Sequence, residues 1–177
     1  MPKKGKMRLE KYSSRVEKNT KKTALKYRDY TLDAEPGTKE YEIENRTLTR
    51  EAVQWADVRR ELPREFRRAA LHLLECLALT QEAVAMEIGV DKRVISRMLQ
   101  QDRPTTEHVV GFCVAIQVPY YISEELLKMT GNALNCTPKH TLYKTFLADT
   151  AKITVERCND LLEEANYEPL FHGEQWK

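Results

Sequence analysis

The chain has 177 residues, 41% hydrophobic and 32% charged, with a formal net charge of +2 and a mean hydropathy of −0.62. No apolar run approaches the roughly 18 residues that a membrane span needs, and the first residues lack the apolar core of a signal peptide. Four scattered cysteines (Cys76, Cys113, Cys136, Cys158) without a C-x-x-C pair argue against a disulfide framework and point to a reducing, cytoplasmic setting.

The charge is unevenly spread. Residues 1–30 hold eleven Lys/Arg against three acids, and the remainder holds 18 basic and 24 acidic residues. A basic arm on a mildly acidic body is a footprint for a polyanion, with a solvated tail as the plain alternative. Within residues 1–48, Leu9, Tyr12 and Val16 fit a weak helix. Tyr27–Leu32 and Tyr41–Leu48 alternate as a hairpin would around Pro36-Gly37. Thr49 reads as an N-cap, and Val53, Trp55, Ala56 and Val58 predict a short helix ending near Leu62.

Pro63 suits the first turn of a helix, and Phe66, Ala69, Ala70, Leu73, Leu74 and Leu77 follow at three- and four-residue spacing. Thr80 is placed to cap a second helix with Val84, Ala85 and Ile88 inward. Gly89-Val90 breaks it, and Asp91 can cap a third with Ile95, Met98 and Leu99 buried. After the Arg103-Pro104-Thr105 loop, Val109, Phe112, Cys113 and Ile116 mark a fourth helix ending before Pro119. A fifth covers roughly 120–130 and stops at Gly131. Beyond a polar linker over 132–139, Leu142, Tyr143, Phe146 and Leu147 form one apolar stripe. Val155, Cys158, Leu161, Leu162 and Ala165 form another behind Thr154. These two read as a helical hairpin, followed by an irregular tail from Pro169.

The segment Gln81–Gln100 meets the demands of a helix-turn-helix. Two short helices crossing steeply need a small residue at the crossing, a turn residue tolerant of positive φ, and apolar residues where the pair rests on the first helix. Ala85, Gly89, and Val84, Ile88, Val90, Ile95 and Met98 supply these in turn.

On these residues, the stretch Leu79-Thr-Gln-Glu-Ala-Val-Ala-Met-Glu-Ile-Gly-Val-Asp-Lys-Arg-Val-Ile-Ser-Arg-Met98 resembles the XRE family, the lambda-repressor/Cro-like helix-turn-helix domains. The likeness extends through Arg103-Pro104-Thr105 to Ala115-Ile116-Gln117-Val118, and so over about residues 63–131. It implies a mainly α fold with a five-helix DNA-binding domain, whose second motif helix (91–100) enters the major groove of double-stranded DNA. Carried over by position, Lys92, Arg93, Ser96 and Arg97 lie at or near the groove-facing side, where Arg and Lys can read guanine O6 and N7. Gln81 is implied to contact a phosphate and brace the recognition helix, and Arg103 and Thr105 are secondary phosphate candidates. Asp91 departs from the family's usual Ser or Thr, and region 63–131 holds eight basic and nine acidic residues, so the basic arm or a homodimer is expected to assist binding.

Other chemistry finds no pattern. The histidines (His72, His108, His140, His172) are dispersed without H-E-x-x-H, and no G-x-x-x-x-G-K or G-x-G-x-x-G occurs. The expectation is a non-enzymatic transcriptional regulator without metal or cofactor, divided into an extension (1–48), a lead-in helix with the DNA-binding domain (49–131) and a hairpin with tail (132–177). Its alternative is a protein-interaction module, antitoxin-like or regulatory, built on the same helices. The apolar face of the hairpin must be covered either by the domain itself or by a second subunit.

Overall fold

The computed structural model describes residues 52–172, and the described residues are mainly helical with no strand. The expected N-terminal hairpin, the weak helix near Tyr12, the Thr49 cap, the basic arm and the end of the tail lie outside them. Eight helices follow in order. They are α1 (52–61), α2 (Phe66–Cys76), α3 (Gln81–Ile88), α4 (Lys92–Gln100), α5 (Thr106–Ala115), α6 (Tyr120–Met129), α7 (Pro138–Ala148) and α8 (Val155–Glu164).

The boundaries follow local chemistry. Helix α1 stops before Leu62 because a residue preceding proline is pushed out of the α region. Pro63 was expected inside the first turn of the next helix, but α2 begins at Phe66 behind Glu65, so the proline ends one helix and does not start another. Thr80, Thr105 and Thr154 each accept a hydrogen bond from the backbone N–H three residues on, at 3.1, 3.3 and 3.2 Å. Helix α7 starts earlier than the apolar pattern suggests. Thr137 caps it and Pro138 occupies its first turn, which converts the end of the expected polar linker into helix.

Helices α2 and α3 meet at 94°, and α3 packs most closely on α4. Among the described residues no single helix is long and apolar enough to cross a membrane. Trp55 and Val58 turn one face of α1 into the core. Arg59 joins that helix to α6, bonding Glu125 at 2.8 Å and lying 5.8 Å over the Tyr121 ring.

The C-terminal hairpin closes on its own chain. Tyr143, Phe146, Leu147, Val155, Cys158 and Leu162 are fully buried in one core shared with α2–α6. Helix α7 lies on α5 and α6, while α8 reaches α5 and also α3. Of the two ways to cover this face, the intramolecular one is therefore realised.

The tail is irregular but not idle. Phe171 is fully buried, stacks on His108 with ring centroids 4.8 Å apart, and covers Gly111 in the middle of α5. A Cβ at Gly111 would stand 2.5 Å from Phe171 Cε2, so the glycine is required for the aromatic ring to seat. Asn159 Oδ1 accepts from the Leu170 N–H at 2.9 Å and fixes the approach.

Candidate functional site

Helix α4 divides cleanly. Val94, Ile95, Met98 and Leu99 are buried, a set that includes Val94 besides the three expected from the sequence. With that face fixed inward, the 3.6-residue turn puts Lys92, Arg93, Ser96, Arg97 and Gln100 on the outer side. Lys92, Arg93 and Arg97 are exposed and Ser96 is half-buried. The structure thus brings four of the expected site residues together. Arg93, Ser96 and Arg97 line an open depression with Asp91 and Val94.

The turn before α4 has the expected chemistry. Gly89 takes φ +77° with no atom within 4 Å of a built Cβ, so glycine serves backbone conformation here and not close packing. The N–H of Val90 bonds the carbonyl of Ala85 at 3.0 Å. Asp91 turns its carboxylate onto the helix start, accepting from the Arg93 N–H at 2.7 Å. That position draws its charge toward the positive end of the helix.

The two lateral cations differ. Lys92 is ion-paired with Glu82 of α3, which ties the two helices of the motif together. Arg93 has no ion pair or side-chain hydrogen bond among the described residues. Gln81 is half-buried in the first turn of α3, but no hydrogen bond from its side chain to α4 occurs among the described residues. Among the described residues, the side-chain bond from α3 to α4 comes from Glu82, one residue later.

Arg103 and Thr105 flank Pro104 between α4 and α5. Both are exposed, and the Thr105 hydroxyl already accepts the capping bond of α5. The loop is pinned from a distance, since Asn132 donates to the Pro104 carbonyl at 3.0 Å and to Thr130 Oγ1 at 2.7 Å. Only folding shows Asn132 to be a positioning residue; nothing local marks it.

A second polar cluster lies where α7 meets α5. Lys139 donates to Glu107 Oε1 at 2.8 Å, and the Tyr143 hydroxyl donates to the same oxygen at 3.2 Å. Burial alone would raise the carboxyl of Glu107, but its bonds from Lys139, its own backbone N–H and Tyr143 together hold it below its ordinary value. Burial and the Glu107 charge push the Tyr143 phenol up to about 12. For Lys139 burial works against the charge, and the Glu107 and Tyr143 partners override it and raise its value. All three protonation states are fixed near neutrality, which suits a tether and not a proton-transfer site.

Burial likewise pushes the Cys113 and Cys158 thiols up to about 12, leaving both as protonated apolar groups at neutral pH. The four cysteines form no disulfide. His72 Nε2 lies 3.6 Å from Cys76 Sγ one turn along α2, a contact set by helical spacing. No group of three or more potential metal ligands occurs among the described residues.

No protein-family model, curated protein or solved structure matches this chain.

Proposed function

We propose that the protein is a sequence-specific, DNA-binding transcriptional regulator of lambda-repressor/Cro-like type, with α2–α6 as the five-helix domain and α4 seated in the major groove. The observation that carries this reading is the outward face of α4. Burial of Val94, Ile95, Met98 and Leu99 leaves Lys92, Arg93, Ser96 and Arg97 directed away from the core. Arg93 and Arg97 stand one turn apart on the same side of α4, and guanidinium groups can read guanine O6 and N7. Gln81, Arg103 and Thr105 flank that face and serve the phosphates.

The basic residues of the N-terminal arm add phosphate contacts beside the groove, and a homodimer doubles the footprint on a palindromic site. Because the C-terminal hairpin spends its apolar face within the chain, dimer contacts in this reading use another surface.

A polarisation titration of the full chain on a random-sequence duplex pool, followed by selection of bound sequences, tests the reading. Binding that weakens steeply with salt and enrichment of a defined site are expected. Loss of that enrichment in Arg93→Ala/Arg97→Ala, at unchanged melting temperature, assigns the readers. Absence of binding at low salt overturns the reading. It would favour a protein-interaction module instead, for which the exposed Glu82, Met86 and Glu87 on the outer side of α3 offer a mixed acidic and apolar surface.

A further inference from the structure

We infer that Glu82 is a built-in competitor for DNA phosphate, holding Lys92 across the helix-turn-helix and thereby setting both the affinity and the salt dependence of the interface. The inference rests on the DNA-binding reading and deepens it.

Glu82 lies in the first turn of α3 and Lys92 is the first residue of α4. They are ten residues apart, so only the turn at Gly89 brings their heads together. The side chains remain 62% and 53% exposed, so the pair is reached by water and by any approaching polyanion. An exposed pair of this kind contributes little to folding, yet it occupies a cation on the face that α4 would present to a duplex. A phosphate that takes the Lys92 ammonium must displace a carboxylate and leave it next to the nucleic acid. A phosphate that does not take it meets a pair of zero net charge. Either way Lys92 yields less than one full cation of counterion release.

The same contact sorts the site residues by task. With Lys92 drawn back toward α3, the reading of bases falls to Arg93 and Arg97, and Lys92 becomes an adjustable phosphate contact. The chemical class of target that follows is a duplex carrying guanine within the reach of those two guanidinium groups.

The test uses the full chain and a fluorescein-labelled duplex taken from the selected pool, titrated at several salt concentrations. Four proteins are compared: wild type, Glu82→Gln, Lys92→Met and the double variant. Glu82→Gln is expected to tighten binding by about two- to fivefold and to steepen the log–log salt slope by up to about 0.9, the limit set by one further phosphate neutralised. Lys92→Met is expected to weaken binding more in the Glu82→Gln background than in wild type.

Unchanged affinity and slope in Glu82→Gln overturn the inference. So does an equal gain from Glu82→Gln with Lys92 already replaced, since the acid would then act by repulsion alone. In both cases wild-type binding that is lost in Arg93→Ala leaves the DNA-binding reading standing. Wild-type protein that binds no duplex at low salt overturns the reading and the inference together.

Discussion

Two lysine–glutamate pairs in this molecule have the same chemistry and opposite consequences. Lys139–Glu107 joins α7 to α5, with side chains only 29% and 30% exposed and a tyrosine hydroxyl on the same carboxylate oxygen. Lys92–Glu82 joins α4 to α3 with both side chains more than half exposed. Partial burial strengthens the first pair and makes it costly to break, because either partner left alone is a desolvated charge. Exposure lets water and salt replace the second at little cost. One pair therefore fastens the hairpin to the domain, while the other is available for exchange on the outer face of the motif.

Several changes would sharpen this contrast. The largest effect is expected on the fastened side, from Phe171→Ala. Emptying the slot over Gly111 should cost about 3–5 kcal/mol in urea unfolding, with the affinity of the remaining folded protein for duplex unchanged. Next comes Arg93→Ala/Arg97→Ala, expected to remove about 2–4 kcal/mol of specific binding free energy while the thermal midpoint shifts by at most a few degrees.

Lys139→Met should then destabilise by about 1–2 kcal/mol, because it strands Glu107. Its pH dependence distinguishes a tether from simple packing. Glu107 titrates below its ordinary 4.5 when folded, so its contribution is present above that value and fades as pH falls through the folded one. Lys139 titrates above 10.5, so its contribution is complete below that value and fades as pH rises past the folded one. The gap between wild type and variant should be flat between about pH 5 and 10 and narrow at both ends. The smallest effect is expected for Lys92→Met, at most about 0.5 kcal/mol in stability. A loss as large as that from Lys139→Met would erase the distinction between the pairs.

Gly111→Ala tests the seat of Phe171 from the opposite side. Alanine favours the helix by about 1 kcal/mol, whereas overpacking against the ring costs about 1–3 kcal/mol. A net loss is expected, and a net gain in melting temperature would mean that Phe171 can move aside.

The parts of the fold legible in the sequence are those written within one or two turns. Thr80, Asp91 and Thr154 announce their helices as caps, Gly89 announces the turn, and the stripes of α2 and α8 announce their buried sides. Ala69 and Leu73 need no distant information to be placed inward. What escaped is long-range. Phe171 has no periodic partner, and its burial depends on a glycine 60 positions earlier. Tyr143 was readable as apolar, but its hydroxyl bond to Glu107 spans 36 residues. Asn132 holds a loop 28 residues away. In the candidate site, the outward cations of α4 follow from helical periodicity. The pairing of Glu82 with Lys92 is not legible, because a surface carboxylate shows its partner only once the turn has folded.

The slot over Gly111 also has a consequence in time. Domains form in order of synthesis, at about 5–20 residues per second. Helices α2–α6 are therefore translated a few seconds before Phe171 exists to cover α5. Throughout that interval His108 and Gly111 lack the aromatic ring that covers them in the folded chain.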